Sequence, residues 1–209
     1  MYIPPHFAEN DVARLHQFIE HNSFGLLVTQ TDGTPTASHL PFLLDRTVGQ
    51  HGAIIGHMAR ANPQWQTAAG QNALVVFSGP HAYISPTWYD APKTVPTWNY
   101  AAVHATGPIE IIEAPMAILE ILQATVGLYE GEMPNPWSMG EVNAYVESLL
   151  RQIVGFRIEI ASLEGIWKLN QNHPQERRRK VISALRGRPD ENSQAIAALM
   201  EATLAEKSL

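Results

Sequence analysis

The 209-residue sequence predicts an α+β fold, mainly β: a barrel of short strands with flanking helices and a helical C-terminal end. Three observations carry this expectation. Short apolar runs recur between turn signals, as antiparallel strands require. Helices interrupt these short strands without the regular alternation of βαβ winding. No dinucleotide-type glycine fingerprint follows any strand. The expected organisation is a barrel domain over 1–172 with helices inserted at about 114–151, then a helical extension over 173–209 packed on it.

Taken in order, residues 9–22 place Val12, Leu15, Phe18, Ile19 and Asn22 at near-helical spacing. Residues 24–29 read as a buried strand, and Thr31-Asp32-Gly33 as a hairpin turn, because glycine accepts positive φ. The next strand, 35–44, contains Pro41, which suits an edge, an end or a bulge. Ala53-Ile54-Ile55 is a strand, and Asn62-Pro63 suits a helix start. Residues 73–77 form a strand punctuated by Gly79-Pro80, with 81–85 extended beyond it. A proline-rich loop, 85–96, leads into a long strand through His104, broken at Gly107-Pro108 before 109–112. A helix from Ala114 carries Met116, Leu119, Leu122, Val126 and Tyr129 on one stripe, and 137–151 reads as a second helix. Residues 155–160 return to strand alternation, and two helices close the chain, the second from about Asp190.

Composition narrows the function classes. Hydrophobic residues make up 45% and charged residues 16%, enough for a sizeable core. The absence of cysteine excludes disulfides, thiolate metal sites and cysteine nucleophiles. The formal net charge of −6 argues against a broad nucleic-acid surface but not against a local patch. No run approaches the roughly 18–20 apolar residues of a membrane span, and Met1-Tyr2-Ile3-Pro4-Pro5-His6 has no secretory pattern. A cytoplasmic protein is expected.

Polar residues stand where a core would want apolar ones in four stretches: Ser38-His39, 57–64, Trp98-Asn99-Tyr100 with His104, and 168–172. Strand ends of this kind present ligand-binding groups. A strand delivering Arg60 to a helix start capped by Asn62 is one arrangement for an anion; the alternative is a capped helix with a solvated arginine. Aromatic, amide and arginine groups together suit a planar, hydrogen-bonding ligand that bears a phosphate. The nine histidines show no paired metal-binding spacing, so no metal site is expected. The run Glu176-Arg177-Arg178-Arg179-Lys180, with Arg186 and Arg188, is either a phosphate-backbone contact or a solvated helix face.

Several motifs, in order along nearly the whole chain, resemble the PaiB family of FMN-binding negative transcriptional regulators. They are Met1-Tyr2-Ile3-Pro4, Asn22-Ser23-Phe24-Gly25, Ser38-His39-Leu40-Pro41, Gly56-His57-Met58-Ala59-Arg60-Ala61-Asn62-Pro63-Gln64-Trp65, Gly79-Pro80-His81-Ala82-Tyr83-Ile84-Ser85, Val95-Pro96-Thr97-Trp98-Asn99-Tyr100 with Val103-His104, and Lys168-Leu169-Asn170-Gln171-Asn172. Asn170 departs from the family pattern, which has a serine there, and the region after His173 is less characteristic. The resemblance implies an FMN-binding split barrel, forming a homodimer with two flavin sites at its interface. It places Ser38, His39, Leu40 and Pro41 along the isoalloxazine edge. His57, Met58, Arg60, Asn62 and Gln64 would approach the ring edge and phosphate, with Arg60 as the charged anchor. Trp98, Asn99 and His104 would line the dimer seam, and Lys168 and Gln171 would close the site from the other subunit. Two functions follow from this resemblance. One is a negative transcriptional regulator acting on DNA or through a regulatory protein partner. The other is a flavin-dependent oxidoreductase of the pyridoxamine-phosphate-oxidase-like superfamily, with His57 and His104 as candidates for proton exchange.

Overall fold

Antiparallel pairing organises the backbone of the computed structural model, which describes residues 1–140 and 144–205. The strands are β1 (Ala8–Glu9), β2 (Phe24–Thr31), β3 (Thr34–Asp45), β4 (Ala53–Ala59), β5 (Asn72–Ile84), β6 (Thr97–Ile112), β7 (Ile153–Glu159) and β8 (Ser162–Lys168). The helices are α1 (Val12–His21), α2 (Gln64–Ala68), α3 (Pro115–Glu130), α4 (Ala144–Leu150), α5 (Gln175–Arg186) and α6 (Glu191–Ala205). Two compact units share the chain. One holds Val12–Phe77 and His104–Leu163; the other holds Met1–Asp11, Ser78–Val103 and the chain from Glu164. They therefore divide the chain differently from the expected 1–172 and 173–209. The reason lies in β5 and β6, whose 13 and 16 residues contribute to both units.

In the first unit the strand order β6-β5-β2-β3-β4-β7 closes on itself, because β7 pairs with both β4 and β6. Closure removes the unpaired edges an open sheet would present. Leu27, Ile54, Val75, Phe77, Phe156 and Ile158 fill the interior, and the Phe42 ring meets those of Phe77 and Phe156 edge-on at 5.6 and 6.1 Å. The hairpin between β2 and β3 turns at Asp32 and Gly33, both at positive φ, as the sequence requires.

The proline signals mark something other than breaks. Pro41 is where β3 changes partner: residues up to Pro41 pair with β2, and the register to β4 starts at Phe42. Gly79-Pro80 and Gly107-Pro108 both lie inside continuous strands. Gly107 is required by proximity, since a Cβ there would lie 1.9 Å from the Glu159 carbonyl oxygen. Next to it, the Thr106 carbonyl accepts from the Ala161 amide at 2.9 Å.

On this unit α3 buries Ile118, Leu119 and Ile121; of the expected stripe, Leu119 is buried and Leu122 packs beside it, while Met116 and Tyr129 are exposed. Ile118 and Leu119 pack with Leu150 of α4, against Ile112 and Ile153. The expected helix over 137–151 is shorter: 137–140 are not helical, 141–143 lie outside the described residues, and α4 starts at Ala144.

In the second unit the order is β1-β8-β6-β5, and α5 packs on α6 through Val181, Ile182, Leu185, Ile196, Ala197 and Met200. Among the described residues no helix is long and apolar enough to cross a membrane.

Replacing Gly107 with alanine should destabilise the fold by on the order of 3 kcal/mol, because backbone cannot yield as a side-chain tip can. Urea unfolding with an unchanged m-value measures this. A midpoint equal to wild type would mean that the Gly107–Glu159 approach is absent.

Candidate functional site

The barrel-side candidates gather where β3 leaves β4 and where β4 runs into α2. Ser38, His39, Leu40 and Pro41 lie on the stretch of β3 that pairs only with β2 among the described residues, so its other side is an open strand edge. Ser38 accepts a hydrogen bond from Asn62 Nδ2 at 2.9 Å. Asn62 Oδ1 also accepts from the Gln64 amide at 3.0 Å, reaching the start of α2 from the residue before the N-cap position, which Pro63 occupies. His39 is exposed and stacks on Phe24, with ring centroids 6.3 Å apart.

Other members of this group have interior duties. Met58 is buried in the barrel. Gln64, expected to approach the ligand, is 1% exposed. Its Nε2 donates to the Thr29 hydroxyl and to the Leu27 and Thr36 carbonyls, tying α2 to β2 and β3. His57 is half-buried and its Nδ1 has no partner. Burial lowers the pKa of its imidazole below the ordinary 6.5.

Arg60 does not project freely. Its Nη1 donates to Glu113 at 2.6 Å, its Nε to the Arg151 carbonyl at 3.1 Å and its Nη2 to the Ile153 carbonyl at 3.3 Å. The guanidinium also lies 5.5 Å from the Trp65 ring. The helix it was expected to serve, α2, has only five residues and so carries little dipole. Arg60 and Glu113 instead stand beside a cavity of about 550 Å³ walled by Met116, Ile118, Leu119 and Leu150. Glu113, 53 positions away, carried no local signal that could reveal this partnership.

In the second unit Trp98 is 52% exposed, beside the rings of His81 and Tyr83. Its neighbour Asn99, expected at the same surface, is wholly buried and donates to the Met200 sulfur at 3.3 Å. Strand alternation sends these two side chains to opposite faces. His104 is half-buried on the barrel portion of β6. Lys168 donates to the Thr97 hydroxyl at 2.9 Å. Gln171 is used locally, accepting from the Leu169 amide and donating to the Trp167 carbonyl. Asn170 has φ +62° and bonds the buried Tyr89 hydroxyl through Nδ2 at 3.0 Å. Asparagine tolerates that left-handed geometry better than serine, which gives the departure a physical reason.

The basic run is neither a bare phosphate contact nor a uniformly solvated face. Arg178 is 1% exposed, bonded to Thr203 and the Met200 carbonyl with its Nε unpartnered. Lys180 pairs with Asp90 at 2.9 Å, Arg186 with Glu201 at 2.6 Å and Arg188 with Asp190 at 3.1 Å. Arg177 lies over the Tyr89 ring and donates to His173 Nδ1 at 3.0 Å.

Comparison with known proteins agrees with this architecture. The family model described as "Putative FMN-binding domain" matches residues 1–162. The chain is 38% identical, over 203 residues, to the protease synthase and sporulation protein PAI 2 of Bacillus subtilis, covering 96% of this chain and 97% of that one. Two solved structures share the fold at low identity. The flavocytochrome Anf3 from Azotobacter vinelandii superposes with a TM-score of 0.59 at 13% identity, covering 77% of this chain and 69% of that one. The FAD and heme binding protein from Mycobacterium smegmatis gives 0.58 at 17%, covering 77% and 73%.

The two shifted histidines set a pH dependence. His57 is lowered by burial, and His173 by burial and then by the Arg177 charge. As pH falls below about 6.5 the unfolded chain takes up protons that these folded imidazoles resist, so stability falls there and is complete above it. NMR titration should show the His57 ring taking up its proton at a lower pH than an unperturbed histidine, with the urea midpoint dropping as the pH falls below about 6.5. A His57 ring titrating at or above its ordinary value would contradict this.

Proposed function

The chain belongs to the PaiB family of FMN-binding split-barrel proteins, and from that premise we propose that it is a cytoplasmic, homodimeric negative regulator of transcription with FMN on its barrel. The observation that carries the flavin part is the open β3 edge with the Ser38–Asn62 hydrogen bond beside it. An isoalloxazine edge carries alternating donors and acceptors, and a strand edge offers the complementary backbone row. Leu40 and Pro41 supply apolar cover, and the neighbouring His39 and Phe24 rings present aromatic surface. These residues fit the ring of the cofactor. The phosphate role of Arg60 fits only if a phosphate takes the place of Glu113 on its guanidinium.

When bound, FMN would supply the redox chemistry itself. The chain's own residues would hold the ring edge at Ser38 and Asn62, and His57, neutral at pH 7, could exchange a proton. The exposed aromatic group of His81, Tyr83 and Trp98 supports a dimer seam, since aromatic residues are enriched in interfaces. Ion pairing supports regulation through a protein partner rather than through DNA contact by α5. Of the arginines and lysine at 177–180, Arg179 alone among the described residues keeps an exposed side chain with no charged or polar partner.

FMN titration followed by flavin fluorescence tests the reading. Ser38→Ala and Asn62→Ala should each weaken binding about tenfold, near the value of one hydrogen bond to a ligand. Arg60→Ala should weaken FMN more than riboflavin, and equal weakening would remove Arg60 from the phosphate. Tight binding with no oxidation of NADH or NADPH under air supports the regulator. Steady turnover would make the chain a flavin-dependent oxidoreductase instead, and no flavin binding would overturn the proposal.

A further inference from the structure

Three positive charges without a negative one share a cavity of about 300 Å³ in the second unit. Lys93, Lys168 and Arg177 line it, together with Tyr89, Thr97 and His173, and none of its lining residues is acidic. Among the described residues Lys168 has the neutral Thr97 hydroxyl as partner and no carboxylate, and Arg177 has His173 and the Tyr89 ring. Lys93 is exposed at a left-handed position, φ +57°, with no ion pair among the described residues. The acidic residues that could have neutralised them, Asp90 and Glu176, are both held by Lys180, at 2.9 and 3.6 Å. In a chain of net charge −6, a cavity with three uncompensated cations is an unexpected local potential.

The remaining polar groups point the same way. An arginine is always protonated and can only donate, so His173 Nδ1 accepts from it and the ring's proton sits on Nε2. Burial and the Arg177 charge both keep that ring neutral. The cavity thus offers two ammonium groups, a guanidinium and donor hydrogens, with Tyr89 held in place by its bond from Asn170. Such a set matches the oxygens of a tetrahedral dianion.

We propose that the Lys93–Lys168–Arg177 cavity binds the phosphate group of a small phosphate monoester. Two sources carry that chemistry: the phosphate of FMN itself, or a second phosphorylated small molecule. The inference stands whether or not the barrel carries flavin, since it rests on this unit's own charges.

Equilibrium dialysis of the full chain against inorganic phosphate at low ionic strength tests it. Saturable binding of one phosphate per chain is expected. Lys168→Gln and Arg177→Gln should each weaken it at least about tenfold, as for a lost charge-assisted hydrogen bond. Lys93→Gln alters an exposed side chain with no partner among the described residues, so it tests the charge without endangering the fold, and it should weaken binding as well. Arg179→Gln, on the same helix but outside the cavity, should leave binding unchanged. Absence of saturable binding, or an equal loss with Arg179→Gln, overturns the proposal. Displacement of phosphate by FMN, with Lys168→Gln weakening FMN but not riboflavin, identifies the flavin as the source. Simultaneous binding of phosphate and FMN identifies a separate ligand. Phosphate binding in a chain that takes no flavin would leave this site intact while removing the flavin reading.

Discussion

The barrel depends on β7 pairing on both sides, with β4 along Ala53–Ala59 and with β6 along Ile109–Ile112. Without the second pairing, six strands would form an open sheet with two hydrogen-bonding edges, and the Phe42–Phe77–Phe156 cluster would lose its enclosure. The close approach at Gly107 follows from this, because the end of β7 comes against β6 there with no room for a side chain. Closure also concentrates the remaining openness in one place. Where β3 passes from β2 to β4 it leaves a bare edge, and the candidate ring-binding residues stand on that edge.

Charge is arranged with similar economy. Arg46, Arg60, Arg157, Lys180, Arg186 and Arg188 are each matched to a nearby carboxylate. On α5 this matching removes much of a basic face. Surface pairs of this kind add little stability, but they remove free positive charge. The few cations left over therefore carry the information. Arg178 is buried without a counter-ion and serves packing through its bonds to α6, whereas Lys93, Lys168 and Arg177 surround open space.

Features governed by local geometry were legible in the sequence. The Asp32-Gly33 turn, the Asn62 bond to the start of α2 and the positions of α1, α5 and α6 follow from φ preferences and spacing within a few residues. The glycine-proline steps at 79–80 and 107–108 were misleading, because proline reports a missing donor rather than a chain reversal, whereas Pro41 stands on an open edge as its missing donor suggests. The α3 stripe was read in part: Leu119 and Leu122 face β7 and α4, which set the burial, whereas Met116 and Tyr129 lie beyond their reach and stay exposed. In the candidate site, residue types were readable but partners were not. Glu113 under Arg60, Met200 over Asn99 and the three strand groups around Gln64 are all contacts made at long range.

The sharing of β5 and β6 between units has a consequence for how such a protein can be inherited. No single cut in the gene yields either unit alone, since each cut would leave half of a long strand without its sheet. The two halves cannot be shuffled, duplicated or lost as separate modules.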